Sequence, residues 1–134
     1  MSVSLDQAEA LVKTARAKAA EIGVAASIVV LDEAGHLKAF ARMEHAWLGS
    51  IDVAMKKART SVLFQMETQQ VLEVCKPGAQ AQGLELTNDG LVTFAGGIPL
   101  KTSGGQLIGA LGVSGGQVAQ DFEIARAGLS ALSA

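Results

Sequence analysis

The chain has 134 residues, 49% of them hydrophobic and 18% charged, with a formal net charge of −2; this is the length of one domain and the composition of a folded chain. The mild acidity, with a pI of about 5.6, and the lack of a basic stripe exclude the usual kind of nucleic-acid binder. One cysteine, Cys75, excludes an intrachain disulfide or a multi-cysteine zinc site, and two histidines exclude a three-histidine metal centre.

In chain order, Leu5, Ala8, Leu11, Val12, Ala15, Ala19 and Ile22 recur at helical spacing. Ser4 is placed to cap this first helix, and Gln7 to complete a capping box with it; Gly23 ends it. Its charged Asp6, Glu9 and Lys13 are unlike a signal peptide. No apolar run approaches the roughly 18 residues of a membrane span, so the chain reads as cytoplasmic, with no membrane partner. Val24–Leu31 is a nearly continuous apolar run, the pattern of a strand covered on both faces. Asp32-Glu33-Ala34-Gly35 reads as a hairpin turn. From His36 to Met43 the pattern alternates: Leu37, Ala39, Ala41 and Met43 share one face, and His36, Lys38, Phe40 and Arg42 the other.

A helix is predicted from Ser50 to Phe64 and a shorter one from Glu67 to Cys75, stopped by Pro77-Gly78. Beyond that point, Leu91–Phe94, Ile98–Leu100 and Gln106–Val113 read as three strands separated by glycine turns. A C-terminal helix from Gln117 is expected to bury Val118, Phe122, Ala125, Leu129 and Leu132. The whole, residues 1–134 taken as one domain, predicts an α+β fold. Its single five-stranded antiparallel sheet has the order 2-1-5-4-3, with helices packed on its faces. Only Phe40, Trp47, Phe64, Phe94 and Phe122 are aromatic, while the mean hydropathy is +0.32. A thin core with an apolar surplus predicts a homo-oligomer.

Four motifs resemble the GlcG/HbpS-like family: Val30-Leu31-Asp32-Glu33-Ala34-Gly35-His36-Leu37-Lys38-Ala39-Phe40-Ala41-Arg42-Met43-Glu44, the helix Ser50–Ala58, Gly96-Gly97-Ile98-Pro99-Leu100, and Ile108–Gly116. They stand in the family's order and cover most of the chain. The resemblance implies a profilin-like sheet and assembly into higher homo-oligomers. It also implies heme as a cofactor or ligand, since some members bind heme or act in heme degradation and iron handling. A related domain is fused to corrinoid adenosyltransferases, and the GlcG branch accompanies glycolate utilisation. One departure stands out: where the family usually reads Arg-Met-Asp-Gly-Ala, this chain has Arg42-Met43-Glu44-His45-Ala46.

Among residues able to carry chemistry, Ser114 sits in a Gly-x-Ser-x-Gly match. No histidine follows it, so it reads as a helix-capping turn residue rather than a nucleophile. The glycines after it, Gly115 and Gly116, offer backbone N–H groups to an anion. Lys57 stands apart from the charged flank of its helix, where Asp52 and Lys56 have the spacing of an ion pair. It reads either as a snorkelling lysine or as a cation or proton donor for a ligand. Arg42 could hold a carboxylate through both guanidinium arms, or pair with Glu44 or Asp32. His45, His36 and Met43 are the candidate axial donors to a heme iron, with the histidines favoured. Cys75 reads as a structural thiol.

These residues predict a cleft between the end of the second strand and the following helix, rimmed by Arg42, Met43, Glu44, His45, Lys57 and the Gly96-Gly97 turn. Two cations beside backbone N–H groups select a small anionic ligand. The function expected is an oligomeric small-ligand-binding protein that takes heme or a related anionic molecule. The alternative is an enzyme acting on a small carboxylate, with Arg42 as anchor and Lys57 or His45 as acid or base.

Overall fold

A computed structural model describes residues 1–132. The chain runs α1 (Leu5–Glu21), β1 (Ser27–Asp32), β2 (Leu37–Arg42), α2 (Gly49–Phe64), α3 (Thr68–Cys75), β3 (Gly97–Lys101), β4 (Leu107–Ser114) and α4 (Val118–Gly128), with single 3-10 turns at Leu84–Leu86 and Leu129–Ala131. The N-terminus forms as its sequence predicts. Ser4 Oγ accepts from the Gln7 N–H at 3.1 Å, and Gln7 Oε1 accepts from the Ser4 N–H at 2.9 Å. At the hairpin turn, Asp32 Oδ1 accepts from the N–H groups of Ala34 and His36, each at 2.9 Å, while Gly35 turns the chain at φ 87°.

All the strands pair antiparallel, and their order is β2-β1-β4-β3. The fold is α+β, but the sheet among the described residues has four strands, not five. The expected order 2-1-5-4-3 loses its outermost member, the run Leu91–Phe94. The backbone of that run is spent elsewhere: Leu91 N–H donates to Glu85 O at 2.9 Å and Val92 N–H to Thr60 Oγ1 at 3.1 Å. Leu91 itself packs with Val71 and Cys75 beneath α3. Leu91 thus fills a gap beside α3 instead of extending the sheet.

Layers form on both faces of the sheet because β1 and β4 are apolar on both. Ile28, Val30, Leu111 and Val113 meet Leu11, Ala15 and Ala19 of α1 and Ile124 and Ala125 of α4. Val29, Leu31 and Ala110 meet Ala54, Ala58 and Val62 of α2. Each fully buried Leu or Ile contributes on the order of 1.5–3 kcal/mol relative to exposure. The approach of α2 is very close: a Cβ built on Gly112 would collide with Ala54 O and lie 2.8 Å from Ala58 N. Of the C-terminal residues expected inside, Ala125 is buried and Leu129 and Leu132 pack partly buried against the core, but Val118 is exposed and Phe122 half-buried, and Asp121, Ile124 and Gly128 are buried in their stead. No helix among the described residues is long and apolar enough to cross a membrane.

Candidate functional site

The sheet end at which β1 begins and β4 finishes carries most of the polar residues buried in the core. Ser27 lies opposite Arg42 on β2 and opposite Ser114 on β4. Ser27 Oγ and Ser50 Oγ are 2.8 Å apart, and Ser50 Oγ donates to Trp47 O at 2.6 Å, which ties the start of α2 to the sheet. The loop between β2 and α2 is anchored at Met43. Its N–H donates to Ala26 O at 2.9 Å, and its Sδ accepts from Ala26 N–H at 3.5 Å. Beyond this anchor His45 takes φ 70°, in the left-handed region. A Cβ in that region carries strain.

Lys57 is the largest of the fully buried side chains. Its Nζ donates to Val113 O at 2.8 Å and to Asp121 Oδ2 at 3.0 Å, and lies 5.0 Å from the centre of the Phe94 ring. Asp121 Oδ1 accepts from Gly116 N–H at 2.9 Å. Lys57 therefore reaches from α2 around the end of the sheet to α4 on the opposite face, and locks the Ser114–Gly116 turn between them. Burial pushes the Lys57 pKa below its ordinary value, and Asp121 opposes that shift. The backbone makes room for this lysine. A Cβ on Gly96, at φ 129°, would sit 2.6 Å from Lys57 Nζ, and one on Gly97 would sit 2.5 Å from both Lys57 O and Thr68 Cγ2. Gly97 opens β3 rather than turning the chain, and its N–H donates to Thr68 Oγ1 at 3.0 Å.

Beside this lock lies a cleft of about 370 Å³, walled by Trp47, Val53, Phe94 and Val118, with Ser50, Ser114 and Asp121 among its polar residues. A depression of about 220 Å³ adjoins it, sharing Trp47, Gly115 and Gly116 and adding His45 and Gln120. Trp47 is 82% exposed. A separate groove of about 460 Å³ runs between α1 and β2, past Lys13, Arg16, Lys38 and Phe40.

Of the sequence-predicted residues, His45 lines the depression. Gly96 and Gly97 are buried around Lys57, whose ammonium is turned inward. Arg42 and Glu44 are exposed and make no ion pair among the described residues. His36 is exposed beside Asp32, at the other end of β2 from Arg42, roughly 20 Å along the strand. The expected pair of Asp52 and Lys56 is present at 3.3 Å. Gly116 does not offer its N–H to a ligand, because Asp121 takes it. The cap of α4 is Gln117, closed by Gln120, and not Ser114. Cys75 is buried, and desolvation raises its thiol pKa.

Sequence reasoning missed Asp121, Trp47 and Phe94. Asp121 carried a signal: it lies at i, i+3, i+4 and i+7 with Ile124, Ala125 and Gly128, so one carboxylate occupies an apolar stripe. Trp47 carried another, as the one tryptophan of the chain, placed in a short loop beside predicted site residues.

This geometry defines a small α+β domain with an apolar cleft at one end of its sheet. The sequence profile described as "Haem degrading protein HbpS-like" matches residues 3–130, and the chain belongs to this HbpS-like family. Corrinoid adenosyltransferase PduO of Citrobacter freundii is 37% identical over 134 residues; the match covers 99% of this chain and 40% of that protein, so the chain spans less than half of that relative. Protein GlcG of Escherichia coli K12 is 34% identical over 112 residues, with 84% of this chain and 81% of GlcG covered. Among solved structures, the PduOC:heme complex superposes with a TM-score of 0.93 at 36% identity, covering 99% of this chain and 96% of that one.

Proposed function

We propose that this protein is a cytoplasmic homo-oligomer that binds heme, or a related planar anionic molecule, in the cleft walled by Trp47 and Phe94. The carrying observation is where the aromatics lie. The chain has five, yet two of them, Trp47 and Phe94, line one cleft together with Val53 and Val118. They supply the large apolar surface that a macrocycle needs, and the similarity to the PduOC:heme complex points to the same ligand class. His45, across Trp47 from the cleft, is the iron donor in this reading. Its left-handed backbone is in keeping with that role, because backbone strain clusters at ligand sites. Arg42, about 10 Å from Ser114 across two strand spacings, is the exposed cation nearest the sheet end for a ligand carboxylate. When bound, heme would bring iron and its redox chemistry; the protein supplies the apolar walls and the imidazole. Lys57 serves this site from beneath, as a lock. The enzyme alternative draws no support from Lys57, whose ammonium is fully hidden.

The test is a hemin titration followed at the Soret band with the parent and His45→Gly. Glycine fits φ 70° without strain, so the variant stays folded. A saturable Soret shift in the parent, altered in position or lost in His45→Gly, supports the reading. No saturable shift in the parent contradicts it.

A further inference from the structure

Ser114 ends β4 with its residue surface 8% exposed, and it lines the cleft. Val113 packs into the layer of α1 and α4, so by strand alternation the Ser114 side chain faces the start of α2. Its hydroxyl makes no hydrogen bond within the described residues, whereas Ser27 and Ser50 beside it are bonded to one another. The residue is more than nine-tenths buried, and its unpaired hydroxyl opens onto the cleft, where a ligand can reach it.

The first turn of α2 faces the same space. No side chain caps this 16-residue helix, and the N–H of Gly49, which lines the cleft, has no acceptor among the described residues. An uncapped N-terminus favours negative charge. By contrast α4, whose first turn forms the opposite rim, is self-capped by Gln117 and Gln120. Asp121, the acid in the wall, would repel an anion, but Lys57 and the Gly116 N–H occupy both of its oxygens.

We propose that the Ser114 Oγ–H and the Gly49 N–H form a carboxylate subsite, so that the ligand of this cleft is an amphipathic carboxylate. Its acid group lies between β4 and α2, and its apolar body lies against Trp47, Phe94 and Val118. The inference rests on the cleft assigned above and adds what orients the ligand within it. It does not require iron.

Trp47 is the sole tryptophan and lines the cleft, so its fluorescence reports occupancy. The experiment titrates the parent and Ser114→Ala with hemin, with hemin dimethyl ester, whose carboxylates are blocked, and with the apolar carboxylate octanoate. The subsite predicts that hemin binds the parent about tenfold or more tightly than the ester does, the scale of a charged hydrogen bond. It also predicts that Ser114→Ala removes most of that difference while leaving ester binding unchanged. Equal binding of hemin and its ester by the parent, or hemin binding unaffected by Ser114→Ala, overturns the subsite while leaving the heme reading standing. If neither porphyrin binds but octanoate does, in a manner dependent on Ser114, the heme reading fails and the subsite survives. If none of the three perturbs Trp47, both fail.

Discussion

At the scale of single residues, the Lys57–Asp121 pair is the most consequential contact. It joins helices on opposite faces of the sheet, and both side chains are nearly inaccessible, at 0% and 4% exposed. Such a pair need not stabilise relative to apolar residues of the same size, yet breaking it leaves a charge in the core. Lys57→Met should therefore lower stability by about 3–5 kcal/mol in denaturant unfolding. Changing Lys57→Met and Asp121→Leu together should cost less than the single change. A loss under about 1 kcal/mol for Lys57→Met would show that Asp121 finds another partner. Asp32 gives a pH-dependent case. The His36 N–H, and secondarily the Ala34 N–H, hold its carboxyl below the ordinary 3.8. A carboxylate with a lowered folded-state pKa contributes stability above its unfolded pKa and loses it as pH falls through the folded value. The melting-temperature gap between the parent and Asp32→Asn should thus stay level from pH 7 to about pH 5 and close below about pH 4. A gap that widens in acid would contradict the assignment.

At the scale of elements, glycines set how closely the layers approach. Gly112→Ala drives a methyl into the α2 backbone, and Gly97→Val drives a larger group into Lys57 O and Thr68. Each should lower the melting temperature, by the 1–3 kcal/mol or more of overpacking. Gly104→Ala, whose Cβ would meet only Thr102 Oγ1 at 3.8 Å, should leave it unchanged. Equal melting of all three would mean that α2 moves away freely. The sequence reads Gly97 as part of a glycine turn, whereas its sensitivity comes from the helix backbone lying against the strand. The same distinction separates what sequence could and could not reveal. Capping at Ser4 and the hairpin at Asp32 rest on neighbours within a few residues, and the two-faced burial of β1 is written in an unbroken apolar run; all three formed as read. The fate of Leu91–Phe94 depends on Thr60 and Val71, twenty or more residues away, and so short a run does not announce whether it will pair as a strand or fill a gap. The rotation of α4 has a similar cause. Asp121 turns inward because Lys57 waits there; its apolar stripe marks the burial, but the partner 64 positions away is not named by any local pattern. For the candidate site, the sequence pointed to the loop that carries His45, which lines the depression beside the cleft, and to Gly96 and Gly97, which pack around Lys57. It missed Trp47 and Phe94, whose shared cleft exists only after α2 and β4 are packed.

At the scale of the whole molecule, large apolar side chains remain outside the core. Trp47, Leu48 and Leu86 are 82%, 74% and 83% exposed. Together with the apolar surplus of the sequence, this favours self-association. Light scattering at micromolar concentration should give a mass that is a multiple of 13.7 kDa; a single subunit mass would refute the oligomer. Two grooves compete for the ligand. The Trp47–Phe94 cleft is apolar and adjoins His45, while the groove between α1 and β2 offers Lys13, Arg16 and Lys38 over Phe40. Amide NMR of the protein titrated with hemin decides between them directly, since the paramagnetic iron broadens the signals nearest to it. Binding in the Trp47–Phe94 cleft predicts loss of the His45, Trp47, Gly115, Gly116 and Val118 signals, with Lys13, Arg16 and Lys38 retained. Broadening confined to Lys13, Arg16, Lys38 and Phe40 would contradict it.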